Sequence, residues 1–313
     1  MQRLRIGLIG WGTVGAALGE LIASGPLPVE LARIAVRDPA RERASALPGG
    51  VEIGAAGEVV AADTDAVVEL AGGVDGPIEW ARGTLARGRP YVTANKALLA
   101  THGAELAGIA TANPGAALLA SASVGGGAPM IEAVEHLAAT GTITRLRGLL
   151  NATTTFILSA MAQGRSYPEA LAAAQRAGYA EADPSFDVEG RDAAQKLAIL
   201  ASVAWGRWRP EREVETHGIV GITVEPGRIV RLVAEADGED LRVRPMELLP
   251  GVAMASVSGM ESVLEVEVRE AGTFRASGPG AGGRVTGGAV YADLARLVAG
   301  ERPILFAPRG GAR

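Results

Sequence analysis

The segment LRIGLIGWGTVGAALGELIAS, residues 4–24, predicts an apolar strand, a glycine-rich turn and a helix in immediate succession. Gly10, Gly12 and Gly15 stand in G-x-G-x-x-G spacing at the turn. In this context the first glycine permits a tight turn, the second lets the backbone approach a pyrophosphate, and the third lets the helix pack close to the strand. The start of the helix, at Thr13 and Val14, offers N–H groups and a positive dipole end to phosphates. The segment therefore predicts a dinucleotide cofactor site, with a purely structural turn as the alternative.

A second strand, LARIAVRD (residues 31–38), ends where an acid that binds the ribose 2′-hydroxyl is expected. Arg37 stands there instead and is followed by Asp38, with Arg41 and Arg43 close behind. A guanidinium can pair with a 2′-phosphate through two hydrogen bonds, so Arg37 favours NADP. Asp38 leaves NAD open, and a solvated charged turn is the alternative.

Further strands are predicted at DAVVELAGG (residues 65–73) and RPYVTAN (residues 89–95), each after a helical stretch. This alternation is typical of an α/β fold with a Rossmann-type, doubly wound parallel sheet. Ligands bind at the carboxyl ends of such strands. We therefore take Gly72, Thr93 and Asn95 as candidate cofactor-binding residues.

The pattern changes at ASASVGGGAPMIEAVEHLAAT (residues 120–140), where three glycines and a proline mark a domain crossing near residue 128. Segments such as TRLRGLLNATTTFILSAM, GIVGI, IVRLVAEA, LRVRPMELL and VLEVEV then suggest strands without regular intervening helices, hence an α+β domain. GPGAGGRVTGGAVYADLARLVAG (residues 278–300) closes with a glycine turn and a helix. We expect a dinucleotide-binding domain at 1–128 and 284–313, a second domain at 129–283, and Gly280 of the last turn near the cofactor.

Composition excludes several classes of protein. The net charge is −5 and the arginines are scattered, so no basic patch for nucleic acid is expected. No apolar run is long enough to span a membrane, and a strand begins at once, so we expect neither a membrane partner nor a signal peptide but a cytoplasmic enzyme. The chain has no cysteine, which excludes disulfides, thiolate metal sites and a covalent thiohemiacetal.

Only two of the 30 basic residues Lys and Arg are lysines, Lys96 and Lys196. Lysine can take up or release a proton, whereas arginine stays charged at any working pH. Lys196 lies in GYAEADPSFDVEGRDAAQKLAIL (residues 178–200), one helical turn after Asp192 and on the predicted buried face. A surface ion pair between these two residues is the alternative. For the acids of this segment we favour a pocket that recognises an amino or hydroxyl group over a divalent-metal site.

These motifs together resemble homoserine dehydrogenases. The segments GWGTVG, VTANKALLA, SVGGGAPMI, LLNATTTFILSAM, GYAEADPSFDVEGRDAAQKLAILA and GPGAGGRVTGGAVYADL, spread over essentially the whole chain, carry the resemblance. It implies NAD(P)-dependent interconversion of L-homoserine and L-aspartate 4-semialdehyde, in threonine, methionine and isoleucine biosynthesis, by a homodimer that pairs through its second domain. It also implies that Lys196 and Lys96 are catalytic, and that substrate binds at Glu181, Asp187, Asp192, Asn151 and Thr153.

The sequence departs from the family pattern at two sites. Ser121 stands where the family often has a glutamate, in a loop whose carbonyls can hold a monovalent cation; Val124, Gly126 and Ala128 align with that loop and are the candidate ligands. Ala152 replaces the usual glycine after the asparagine. The chain ends at Arg313 without the regulatory domain that many relatives carry, so feedback inhibition by threonine through such a domain is not expected.

Three other functions share some of these sequence features. Aspartate-semialdehyde dehydrogenase needs a cysteine nucleophile, which this chain lacks. Another amino-acid or hydroxy-acid dehydrogenase stays open, because the fold alone does not set the substrate. A non-catalytic NAD(P)-sensing protein would keep the glycine turn but has no need of both lysines and the acidic segment.

Overall fold

The computed structural model describes residues 3–38, 40 and 45–307, and the chain divides into two compact units. The first unit takes the chain up to Gly127 together with the segment from Gly282 onward, and the second takes Ala128–Ala281. Strands and helices alternate in the first unit. They are β1 (Leu4–Ile9), α1 (Thr13–Ser24), β2 (Val29–Ala35), β3 (Glu52–Gly54), α2 (Ala56–Ala61), β4 (Ala66–Glu69), α3 (Asp75–Leu85), β5 (Tyr91–Thr93), α4 (Lys96–Ala112) and β6 (Leu118–Leu119).

The sheet of the first unit has six strands in the order β3-β2-β1-β4-β5-β6, and all neighbouring pairs are parallel. The predicted α/β class with a Rossmann-type sheet is thereby confirmed. The chain order reverses between β1 and β4, whose last residues Ile9 and Glu69 lie side by side. In open parallel sheets the ligand binds beyond the carboxyl ends of the strands at this reversal.

The second unit contains the elements α5 (Met130–Thr140), β7 (Ile143–Leu149), α6 (Ala152–Ala162), α7 (Tyr167–Arg176), α8 (Ser185–Val188), α9 (Arg191–Trp205), β8 (Val214–Thr216), β9 (Val230–Ala236), β10 (Leu241–Glu247), β11 (Glu261–Val268) and β12 (Gly272–Pro279). Its sheet has the order β12-β11-β7-β9-β10-β8, with only the β10–β8 pair parallel. This mixed sheet with separate helices is the α+β arrangement expected for the second domain.

Among the strand expectations in the second unit, that for GIVGI was wrong and that for TRLRGLLNATTTFILSAM was right only in its first half. GIVGI (residues 218–222) forms a turn, and the strand β8 lies just before it. Gly218 packs so closely on the backbone of Val188 and Glu189 that a side chain would collide with it, and Gly221 has a φ of +77°. The segment from Thr144 to Met161 divides into β7 and α6, because Asn151 caps a new helix.

The last helix, α10 (Gly283–Val298), packs on α1 in the first unit. Gly287 lies so close to the backbone of Ala17 and Leu18 that a Cβ there would be 3.1 Å from the nitrogen of Leu18. The apolar face of α10 joins the core beneath the sheet, through Val290 and Leu294. In the part of the chain that the structure describes, no helix has the length and apolar character needed to cross a membrane.

Candidate functional site

The glycine turn after β1 is closely packed on one side and open on the other. Gly10 has a φ of +105°, and a Cβ there would be 2.7 Å from the carbonyl carbon of Leu70. Gly15 packs on the carbonyl of Gly10, whereas a Cβ on Gly12 would meet no atom within 4 Å. The first and third glycines thus allow close backbone contacts, and the second leaves space beside the turn.

The start of α1 lies at this open side. Gly12 is the N-cap and has no side chain to accept a hydrogen bond from the first turn, which begins with Thr13 and Val14. The N–H groups of a first helical turn have no partner within the helix. A free space, uncapped N–H groups and a helix N-terminus fit the pyrophosphate of a dinucleotide.

A hydrogen-bonded network covers the carboxyl ends of β4 and β5. The carboxylate of Glu69, which is fully buried, accepts hydrogen bonds from the N–H groups of Ala71 and Gly72 at 2.7 and 2.8 Å. Its other oxygen accepts the hydroxyl of Thr93 at 2.7 Å. Asn95 donates its side-chain amide to the carbonyl of Gly73 at 2.6 Å. The network thus joins three predicted cofactor residues, Gly72, Thr93 and Asn95.

Sequence reasoning missed Glu69. The available signal was an acid inside the otherwise apolar run AVVEL, since such a position is rarely charged unless the charge has partners.

Lys96 is the first residue of α4 and is half-buried. Asn95 caps this helix by accepting the N–H of Leu98 at 3.1 Å. The same side chain therefore holds both the loop after β4 and the start of the helix that carries Lys96.

Two other residues predicted to bind the cofactor are Arg37 and Gly280. Arg37 is exposed in the bend that follows β2, and Asp38 beside it accepts the N–H of Ala40 at 2.9 Å. Arg41 and Arg43 lie outside the described residues. Gly280 belongs to the second unit, where a side chain on it would collide with Ser262. Packing inside the second unit thus already requires glycine at position 280.

The second unit brings Asp192 and Lys196 together on α9. The Lys196 Nζ lies 2.8 Å from Asp192 Oδ2 and donates to the carbonyl of Leu150, also at 2.8 Å. The Lys196 side chain is 14% exposed and the Asp192 side chain 7%. This ion pair is therefore buried, as the helical periodicity predicts, and is not a solvated surface pair.

Asn151 links the two acids of this cluster. Its side-chain amide donates to Asp187 Oδ1 at 2.6 Å and to Asp192 Oδ2 at 2.9 Å, while its carbonyl oxygen caps α6 at Thr154. The hydroxyl of Thr153 faces the carbonyl of Tyr179 at 2.5 Å and Asp187 Oδ2 at 3.1 Å. We call Asn151, Thr153, Asp187, Asp192 and Lys196 the acid–lysine cluster.

Burial raises the pKa of the Asp187 carboxyl, and the charge of Asp192 adds to the rise, against the hydrogen bonds from Asn151 and Thr153. The Thr153 hydroxyl has a single proton for two acceptors, and the carbonyl of Tyr179 is the nearer one.

Glu181 stands apart from the acid–lysine cluster. Its side chain is exposed in the loop between α7 and α8, and its backbone carbonyl accepts the side chain of Gln175 at 3.1 Å. Among the described residues, no group of three or more His, Cys, Asp or Glu side chains is arranged to hold a metal ion.

Comparisons with known proteins agree with this geometry. A family model described as "Homoserine dehydrogenase, NAD binding domain" matches residues 10–119, and one described as "Homoserine dehydrogenase" matches residues 129–295. The homoserine dehydrogenase of Corynebacterium glutamicum is 37% identical over 92% of this chain and 70% of its own length. That of Synechocystis is 36% identical over 94% of this chain and 73% of its own.

The chain belongs to the homoserine dehydrogenase family. A solved homoserine dehydrogenase from Thiobacillus denitrificans superposes with a TM-score of 0.92 at 33% identity, covering 98% of this chain and 78% of that one. A hyperthermophilic archaeal homoserine dehydrogenase in complex with NADPH gives 0.86 at 29% identity, covering 97% of this chain and all of that one.

The departure from the homoserine dehydrogenase pattern at Ser121 has a local partner. Its hydroxyl donates to Asp293 Oδ1 at 2.5 Å and its N–H to Asp293 Oδ2 at 3.0 Å, and Asp293 is only 1% exposed. Val124 and Gly126 are buried, and the carbonyl of Ala128 accepts the N–H of Met130 at 2.7 Å. A monovalent cation at Val124, Gly126 and Ala128 stays a prediction.

The other departure from the family pattern, Ala152, is the first residue of α6.

Proposed function

We propose that this protein is an NAD(P)-dependent homoserine dehydrogenase that interconverts L-homoserine and L-aspartate 4-semialdehyde. The observation that carries the proposal is the buried ion pair of Lys196 and Asp192, in a chain whose relatives are homoserine dehydrogenases over most of its length. It places a proton-carrying group on the same helix as the acid that orients it.

A nicotinamide cofactor would supply or accept the hydride, and residues of the first unit would hold it. Gly10, Gly12 and Gly15 leave the space for its phosphates, and the first turn of α1 supplies N–H groups. Gly72, Thr93 and Asn95 line the edge of the sheet beside the reversal in strand order, where such ligands bind.

Lys196 is the residue that transfers the proton to and from the substrate oxygen. An ammonium has three N–H groups, and within the described part of the chain two of them are taken by Asp192 and Leu150, which leaves one for a substrate oxygen. When the aldehyde is reduced, this ammonium donates a proton to the developing alkoxide and becomes the neutral amine; when homoserine is oxidised, the neutral amine accepts the proton from the hydroxyl and becomes the ammonium. Asp192 holds the ammonium in place.

The other acids bind the polar groups of the amino-acid substrate. Asp187, which accepts hydrogen bonds from Asn151 and Thr153, belongs to the same acid–lysine cluster as Lys196. Glu181 is exposed and free to reach a substrate ammonium group. Lys96 is the second catalytic lysine, and we leave open how it divides its role between proton transfer and substrate positioning.

Cofactor choice, assembly and location complete the proposal. Arg37 lies exposed after β2 and favours NADP over NAD. A homodimer through the second unit is supported by its edge strand β12, on which Phe274 is 43% exposed. A cytoplasmic location follows from the cofactor, because NADPH and NADH are held inside the cell.

The test is oxidation of L-homoserine by the purified protein with NADP⁺ and with NAD⁺, followed by the absorbance of the reduced nicotinamide. We expect turnover that depends on homoserine and is faster with NADP⁺. Turnover on a different amino or hydroxy acid but not on homoserine would contradict the substrate. NADPH binding without any turnover would favour a sensing protein instead.

A further inference from the structure

Glu69 is a buried carboxylate whose partners are all neutral in the part of the chain that the structure describes. It is fully inaccessible to solvent, and both of its oxygens accept hydrogen bonds: one from two backbone N–H groups and the other from the hydroxyl of Thr93. Burying a charge is costly unless hydrogen bonds compensate for the lost water. Three donors that converge on one carboxylate therefore indicate a fixed local structure.

The structure that Glu69 fixes is the segment Leu70–Gly73. On one side this segment contacts the glycine turn: the N–H of Leu70 donates to the carbonyl of Ile9 at 2.8 Å, and the backbone of Leu70 leaves no room for a side chain on Gly10. On the other side, the carbonyl of Gly73 accepts the amide of Asn95. Gly72 and Gly73 have φ of +71° and +82°, and a Cβ on either would meet open space.

Thr93 extends the network to α4. Its hydroxyl donates to Glu69 and accepts the N–H of Asn95 at 3.0 Å, so both hydrogen-bonding functions of the hydroxyl are used. Asn95 in turn caps the helix that begins with Lys96. The carboxylate of Glu69 is thus connected to the glycine turn, to the open backbone at Gly72 and Gly73, and to the start of α4.

We propose that Glu69 is a positioning residue for the nicotinamide cofactor. It holds Leu70–Gly73 in the conformation that lines the cofactor site and does not touch the cofactor, because its side chain is fully buried. This inference rests on one part of the proposed function, the binding of NADPH by the first unit, and does not depend on the substrate.

A matched pair of threonines separates positioning from simple stabilisation. Thr93, fully buried, lies at the carboxyl end of β5; Thr64, 6% exposed, lies just before the amino end of the neighbouring β4. Thr64 also takes part in a hydrogen-bond network, since its hydroxyl accepts the guanidinium of Arg89 at 3.2 Å. Valine at either position keeps the shape and removes the hydroxyl, but only Thr93 contacts Glu69.

The experiment measures the dissociation constant for NADPH by fluorescence titration, and the melting temperature, of four proteins: wild type, Glu69→Gln, Thr93→Val and Thr64→Val. In Glu69→Gln the amide nitrogen must face either the two backbone N–H groups, whose hydrogen bonds are then lost, or Thr93, whose hydroxyl then accepts from the amide and has no acceptor for its own proton. We expect the constant to rise about tenfold in Glu69→Gln and about threefold in Thr93→Val, the size expected for one or two hydrogen bonds. Thr64→Val should lower the melting temperature and leave NADPH binding unchanged.

The proposal is overturned if Glu69→Gln binds NADPH as the wild type does, or if Thr64→Val weakens binding as much as Thr93→Val. If Glu69→Gln does not fold, Thr93→Val decides the question in the same way. Because binding is measured without turnover, a wild type that binds NADPH but does not oxidise homoserine would remove the proposed function and leave this inference standing. A wild type that binds neither NADPH nor NADH would overturn both.

Discussion

Glu69 in the first unit and Asp192 in the second are both buried carboxylates at the end of a regular element, yet their partners differ. Glu69 accepts two backbone N–H groups and one hydroxyl, all of them neutral. Asp192 accepts the ammonium of Lys196 and the amide of Asn151. A carboxylate that accepts hydrogen bonds from the backbone of the following residues fixes the path of the chain. A carboxylate that accepts a hydrogen bond from an ammonium instead holds that positive charge and its proton in position. Changes near Glu69 should therefore alter cofactor binding, and changes near Asp192 should alter the chemical step.

The largest effect should come from removing the ammonium. Lys196→Met loses both the group that transfers the proton and its charge, so we expect kcat for homoserine oxidation to fall by about a thousandfold, the combined range of general acid–base catalysis and charge stabilisation. The dissociation constant for NADPH, measured on the same preparation, should stay at the wild-type value. A comparable loss of NADPH binding would contradict the assignment of cofactor binding to the region of Glu69 and of the chemical step to the region of Asp192.

Next in size is the effect of Arg37→Ala on cofactor choice. If the guanidinium binds the adenosine 2′-phosphate, the apparent KM for NADPH should rise about tenfold or more, as loss of a charged hydrogen bond suggests. NADH has no 2′-phosphate and serves as the internal control in the same steady-state assay. Equal effects on the two cofactors would show that Arg37 belongs to a solvated turn.

A smaller effect is expected at the exposed Glu181. Glu181→Gln keeps the shape and removes the charge, so the KM for homoserine should rise about threefold to tenfold while kcat stays nearly constant, the signature of binding that is equal in ground and transition states. Glu189→Gln is the matched control, since Glu189 is also an exposed glutamate of the second unit. If the two variants behave alike, Glu181 has no specific part in substrate binding.

The smallest effect concerns stability and pH at Asp187. Burial raises the pKa of this carboxyl, so the folded protein holds its proton more tightly than the unfolded chain does. The stability it contributes is complete below the unfolded pKa and is lost as the pH rises through the raised folded value. Asp187→Asn cannot ionise and should therefore gain in melting temperature relative to the wild type over the interval from the unfolded pKa of about 4 to the raised folded pKa. A relative loss over that interval would show that the carboxylate is the favoured form.

Periodicity and glycine spacing were sufficient for parts of both regions. The 3.6-residue repeat places Asp192 and Lys196 on the buried side of one helix, and the structure has them there, 2.8 Å apart. The strand, glycine turn and helix at residues 4–24 likewise follow from short-range patterns. Interactions within one helical turn or one tight turn are encoded locally, which is why a single sequence reveals them.

Long-range partners could not be predicted. Glu69 and Thr93 are 24 residues apart, and Ser121 and Asp293 are 172 residues apart. Such spacings do not predict the hydrogen bonds that join the residues of each pair. GIVGI looks like a strand because its residues are apolar, but the close contact of Gly218 with Val188 decides its conformation. Such contacts depend on tertiary packing, which overrides local preference.

Lys196 is proposed to transfer a proton and not only to supply a positive charge. The most direct test is kcat for homoserine oxidation by Lys196→Arg, with folding verified by circular dichroism and by NADPH binding. Arginine keeps the charge but does not lose its proton near neutral pH and therefore cannot accept the proton of the hydroxyl, so we predict a fall in kcat of about a hundredfold or more with NADPH binding unchanged. A kcat close to that of the wild type would contradict proton transfer at Lys196.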